Sequence, residues 1–158
     1  MTTRWLSDDE QRSWRAYLES TKILFDLLDR QLQRDSGMPH AYWEILVRLG
    51  EVDGWSMRMS DLADATRSSR SRLSHAVARL EERGWVQRET VEHDRRGQLA
   101  ILTEAGHDAL VGAAPGHVAT VRELLVDRLS AAEFAQLGAL STQILANLEA
   151  AEKTSSAI

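Results

Sequence analysis

Apolar residues early in the chain recur at three- and four-residue steps. Trp14, Leu18, Thr21, Phe25, Leu28 and Leu32 fall on one stripe, the spacing of a helix with one buried face. Ser7-Asp8-Asp9-Glu10 has the spacing of a capping box and opens that helix. Asp35-Ser36-Gly37 closes it. Pro39 opens a second helix, with Tyr42, Trp43, Leu46 and Leu49 turned inward. The glycines at 50 and 54 punctuate a loop.

The pattern then shortens. Ser60 is placed to cap a short helix over 61–65, and a turn at Arg67-Ser68 leads into a longer helix over 69–83. Leu73, Ala76, Val77 and Leu80 form the inner face of that helix, and Gly84 fits the position just past its end. Residues 85–91 favour a strand, Glu92-His93-Asp94-Arg95-Arg96-Gly97 a polar hairpin tip, and 98–102 the returning strand. Thr103 opens a fifth helix, which Pro115-Gly116 should kink or interrupt before Val118, Val121, Leu124 and Leu125 resume the pattern. Ser130-Ala131-Ala132-Glu133 is a second capping box. It starts a last helix carrying Phe134, Leu137, Leu140, Ile144 and Leu148, with 153–158 expected to fray. The fold class is therefore mainly α with a small antiparallel β-wing (α+β), in the order of a winged helix-turn-helix. Residues 37–109 form the winged domain. Residues 1–36 and 110–158 supply helices whose apolar stripes so small a domain cannot cover, and they read as a dimerisation region.

Charge sharpens this picture. The whole chain carries −5, which by itself argues against a nucleic-acid partner. Between positions 58 and 96, however, nine arginines face seven carboxylates, for +2, and the remainder carries −7. Such segregation marks a face better than the total does. Lys22 and Lys153 are the only lysines, and arginine suits bidentate contacts to phosphate and guanine. With no cysteine there is no disulfide, thiolate metal site or thiol switch. The sequence has no signal-peptide pattern and no run near the roughly 20 apolar residues of a membrane span. The expectation is a cytoplasmic protein without a membrane partner.

Candidate contact residues cluster in two places. A helix enters the major groove by its N-terminal residues; here those are Ser68, Ser69, Arg70, Ser71, Arg72, Ser74 and His75, opposite the inner stripe. Arg79, about one turn further on, is placed for a phosphate. The hairpin tip offers Arg95 and Arg96 to the minor groove. Asp94 beside them suits a bracing role, accepting hydrogen bonds from an arginine or from turn amides. An enzyme reading finds little: the five histidines have no metal-ligand spacing, and no phosphate loop or serine-nucleophile motif is present. No catalytic residue, metal or cofactor is expected.

Four segments between 62 and 106 carry a family resemblance. They are Leu62-Ala63, Leu80-Glu81-Glu82-Arg83-Gly84-Trp85-Val86-Gln87-Arg88, His93-Asp94-Arg95-Arg96-Gly97 and Leu102-Thr103-Glu104-Ala105-Gly106. Together they resemble the MarR family of bacterial transcription regulators. The resemblance implies a homodimer with interlocked terminal helices and one winged domain on each half of a pseudo-palindromic operator. By position it makes 69–75 the base-reading start of the recognition helix, Arg96 the minor-groove arginine and Asp94 the wing brace. It also implies a repressor relieved by a small aromatic or phenolic effector, for which Trp14, Tyr17, His40, Tyr42 and Trp43 could line a pocket or could be plain core. Two other readings stay open at this point: a winged module that binds protein rather than DNA, and a non-specific architectural DNA binder.

Overall fold

The computed structural model describes residues 2–91 and 94–155; the side chains of Val91, Asp94, Arg95, Arg96 and Ser155 also lie outside the described set. The chain divides into two compact units, Met1–Val118 and Ala119–Ile158.

The first helix, α1, spans Asp8–Ser36. Its predicted capping box forms: the Ser7 hydroxyl oxygen accepts from Glu10 N–H at 3.3 Å, and the Glu10 carboxylate accepts from Ser7 N–H at 2.7 Å. Gly37 closes the helix at φ +62°, in the left-handed region. Only the C-terminal end of the apolar stripe is buried: Leu28 and Leu32 are enclosed, whereas Trp14 and Phe25 are about half exposed. Helix α2, His40–Gly50, buries Trp43, Ile45, Leu46 and Leu49.

The following loop holds a strand the pattern did not show. Strand β1, Ser56–Arg58, is three residues long, too short to display an alternation. Helix α3 is Met59–Ala65. Ser60 therefore lies inside its first turn and donates to Asp61 at 3.0 Å rather than capping the helix. Helix α4, Arg70–Glu82, has Ser69 as its cap and buries Leu73, Val77 and Leu80.

Strands β2 (Val86–Val91) and β3 (Asp94–Leu102) form the hairpin, and the sheet order is β1-β3-β2, antiparallel throughout. The returning strand begins earlier than the charge pattern suggested. Thr90 pairs with Gln98 and Val91 with Asp94, so positions 95–97 form a bulge in β3.

Helix α5, Glu104–Leu124, runs through Pro115 without interruption. Both Pro115 and Val111, whose carbonyl loses its donor there, are exposed, so water can satisfy that carbonyl. Helix α6, Ala131–Ser155, starts at the second capping box: the Ser130 hydroxyl oxygen accepts from Glu133 N–H at 3.3 Å, and Glu133 accepts from Ser130 N–H at 2.8 Å. The apolar residues of α6 are exposed on the single chain, from 37% at Leu137 to 59% at Leu148.

The core is continuous under the winged segment. Leu32, Met38, Leu46, Leu49, Leu62, Val77, Leu80 and Ala100 have no exposed surface. It rests on the motif 102–106. Leu102 is buried; Thr103 N–H donates to the Trp85 carbonyl at 3.0 Å; the Thr103 hydroxyl donates to the Gly84 carbonyl at 2.7 Å and accepts from Gly106 N–H at 3.0 Å. Gly106 is needed there, because a Cβ would lie 2.0 Å from the Trp85 carbonyl oxygen.

Candidate nucleic-acid interface

The presentation of α4 begins in the turn before it. The Thr66 hydroxyl donates to the Leu62 carbonyl at 2.8 Å, and Ser68 N–H donates to the Ala63 carbonyl at 2.9 Å. Arg67 takes φ +49°, unusual for a residue with a Cβ, and sets the angle between α3 and α4. The Ser69 hydroxyl oxygen then accepts from Arg72 N–H at 3.3 Å, which leaves its hydrogen for donation outward.

Three enclosed residues, Leu73, Val77 and Leu80, anchor one side of α4. Ser69, Arg70, Ser71, Arg72 and His75 are exposed, and Ser68 and Ser74 are half-buried. Arg72, His75 and Arg79 recur at steps of three and four, so they share one outward stripe. The helix thus combines a rigid inner face with an outer face of hydroxyls, guanidiniums and an imidazole. Arg79 pairs with Glu82 at 2.7 Å, and that hydrogen bond raises its pKa above the ordinary arginine value. Both side chains are well exposed, so the pair is weak and a phosphate can displace it.

An open groove of about 310 Å³ lies beside this face, lined by Arg58, Met59, Ser60, Arg70, Leu73, Ser74, Gly97 and Gln98. It joins the start of α4 to the root of the wing. Arg58, Ser60 and Gln98 were not read as interface residues from the sequence, because only the three-residue β1 and the bulge in β3 bring them there. The side chains of Asp94, Arg95 and Arg96 lie outside the described residues.

The aromatic candidates fall into three places. Trp14 and Tyr17 stack on each other at 6.2 Å on the exposed N-terminal part of α1. Tyr42 lies under the Arg83 guanidinium at 5.7 Å, which also covers Trp85 at 4.9 Å. His40 and Trp43 meet His117 of α5, at 5.9 and 4.9 Å between ring centres, and Phe25 meets His40 edge-on at 5.5 Å. His117 and Phe25 are the members that sequence spacing missed, since they come from distant helices. Burial and then the neighbouring His40 push the His117 pKa down. Its Nδ1 is buried without a hydrogen-bond partner, as is Oε1 of Gln31. Among the described residues no group of three or more His, Asp or Glu side chains is placed to hold a metal ion. Nor, among them, is any helix long and apolar enough to cross a membrane.

A short helix, a fixed turn, an inward-anchored second helix and an antiparallel hairpin behind it define a winged helix-turn-helix. A family model described as the MarR family matches residues 36–97. The solved structure of Sco3205 from Streptomyces coelicolor, a MarR family regulator in complex with DNA, is 49% identical, with 92% of each chain covered and a TM-score of 0.89. That of AbsC, another MarR family regulator from the same organism, is 44% identical over 94% of this chain and 99% of its own, with a TM-score of 0.87. The transcriptional repressor MprA of Escherichia coli (strain K12) is 28% identical over 123 residues, 78% of this chain and 69% of its own length. The chain belongs to the MarR family of transcriptional regulators.

Proposed function

We propose that this chain is a homodimeric, sequence-specific DNA-binding repressor that reads a pseudo-palindromic operator. The observation that carries the reading is the outer face of α4: Ser69, Arg70, Ser71, Arg72 and His75 exposed over the enclosed Leu73, Val77 and Leu80. A protein-docking helix would place apolar side chains outward. Here α4 enters the major groove, and Arg96 of the wing enters the adjacent minor groove with Asp94 bracing the tip. The DNA in the Sco3205 structure supports the partner, and the likeness to the repressor MprA supports the sign of regulation.

Residues 1–36 and 110–158 form the dimerisation region in this reading. Support comes from apolar surface left uncovered on one chain: Ile23 and Phe25 on α1, and Leu140, Ile144, Leu145 and Leu148 on α6, each above 40% exposed. A surface of that kind marks a protein interface. A small aromatic or phenolic effector is assigned to the cluster of Phe25, His40, Trp43 and His117, where the unpartnered Nδ1 of His117 can meet a ligand hydroxyl.

Fluorescence anisotropy with duplexes recovered from genomic fragments, against random duplexes at two salt concentrations, tests the function. Tight binding to the recovered sites, weakening steeply with salt, is expected. Equal affinity for both duplex sets would make the chain an architectural binder, and no binding would make it a protein-docking module.

A further inference from the structure

Glu81 lies on the last turn of α4, next to the enclosed Leu80. Its carboxylate takes two donors from one residue of β2. Oε1 accepts the Arg88 backbone N–H at 3.1 Å, and Oε2 meets the Arg88 guanidinium at 2.5 Å. Both side chains are less than a third exposed, 28% for Arg88 and 29% for Glu81. The adjacent Arg79–Glu82 pair, at 65% and 61%, is open to solvent. Strand β2 is an edge of the sheet, and an N–H pointing away from the sheet there is an unpaired donor unless a side chain takes it. Arg88 sits midway between the buried root of the strand at Val86 and the irregularity after Thr90 where the tip begins.

We propose that Glu81 is a positioning residue for the wing, fixing the angle between the hairpin and the helix that reads DNA. The inference rests on the DNA-binding reading above. A two-part contact gains affinity when its parts are held at the spacing of their sites, and loses it when one part pivots. Holding Arg88 by its backbone as well as its side chain removes that pivot. The charge on Glu81 makes the idea testable by sign. As a simple surface carboxylate it would repel phosphate, and removing it would tighten binding to every duplex. As a brace, its removal weakens binding where helix and wing must fit together, and leaves non-specific binding unharmed.

The test compares Glu81→Ala and Glu81→Gln with the unaltered protein, using a duplex recovered from genomic fragments and a random duplex at one salt concentration. Helical content and dimer mass are followed in parallel. Glu81→Ala should weaken binding to the recovered duplex about tenfold while random-duplex affinity stays equal or rises up to about twofold. Glu81→Gln, which keeps an acceptor for Arg88 N–H, should fall between. If Glu81→Ala does not fold, Glu81→Gln carries the test in the same direction. Unchanged or tighter binding to the recovered duplex, or equal losses on both duplexes, overturns the inference. An unaltered protein that does not distinguish the duplexes overturns the specific-binding reading and the brace together.

Discussion

Replacing Gly106 by alanine should destabilise the protein, although alanine is the better helix former. The added Cβ would stand 2.0 Å from the Trp85 carbonyl oxygen and 2.7 Å from Leu102 Cδ1, where real Cβ atoms essentially never come within 3.0 Å. The start of α5 must therefore retreat by roughly an ångström from the turn after α4. That retreat stretches two hydrogen bonds, Thr103 N–H to Trp85 at 3.0 Å and the Thr103 hydroxyl to Gly84 at 2.7 Å. Each contributes about 1 kcal/mol. Residual strain in the packed turn adds about 1–3 kcal/mol, and the helix preference of alanine returns about 1 kcal/mol. The net loss is about 2–4 kcal/mol, or a fall in Tm of about 5–15 °C. Gly112, on the same helix, is the control: it is exposed with nothing within 4 Å of an added Cβ, so Gly112→Ala should gain about 0.5–1 kcal/mol. Urea titrations at matched protein concentration measure both, since assembly itself shifts apparent stability. A Gly106→Ala protein as stable as the unaltered one, or both variants moving the same way, would refute the close-approach argument.

Arg96→Ala should weaken operator binding by about 1–3 kcal/mol in a gel-shift titration while leaving dimer mass unchanged. Ser69→Ala removes the hydroxyl that caps α4 and should cost about 0.5–2 kcal/mol in thermal unfolding. Ile144→Glu places a charge on the exposed apolar face of α6 and should shift sedimentation toward monomer; an unchanged dimer would exclude that face from the interface. His117, part-buried with its Nδ1 enclosed, prefers its neutral form, so the unfolded chain takes up its proton first. Stability should therefore be fully present above the ordinary histidine pKa of about 6.5 and decline as pH falls through it toward the lower folded value. In His117→Gln the same acid titration should lose less stability.

Much of the architecture is legible in the sequence because its signals are local. Both capping boxes form, since a serine and a glutamate three residues apart need only each other. The inner stripe of α4 is legible because Leu73, Val77 and Leu80 share one helical face. What was missed depends on distant partners. Strand β1 exists only because β3 pairs with it, and β3 could be extended back to Asp94 only by pairing that spans the bulge. His40 and Trp43 of the aromatic cluster are legible as candidates in the sequence, but its other members and its grouping are not. His40 and Trp43 are neighbours in sequence, whereas His117 reaches them from α5, and Tyr42 turns instead to Arg83. Of the kink or interruption expected at Pro115, the interruption does not occur: α5 is helical through it, with Pro115 and Val111 exposed so that water can satisfy the freed carbonyl, which sequence alone does not reveal.

These details bear on how one helix could control another within the first unit. Arg83, the residue just past α4, donates to the carbonyl of Gly37 at 2.9 Å, where α1 ends. His40 N–H, at the start of α2, donates to Asp29 of α1 at 2.7 Å. Helix α4 is thus tied at its far end to α1, and α1 is tied to α2, which carries His40 and Trp43 of the aromatic cluster. Such ties cost little to rearrange one at a time, since a single hydrogen bond contributes about 1 kcal/mol. Together they link the end of α4 to α1, and α1 to the start of α2. In the proposed dimer, a second copy docked on the exposed face of α1 would bear on α4 through the Arg83 tie. The proposed effector, bound at the cluster, would act on the separation of the two copies of α4 only through its difference in affinity between two such arrangements. Arg83→Met should accordingly leave the fold intact while weakening the response of operator binding to any effector. A fully retained response would show that the coupling takes another route.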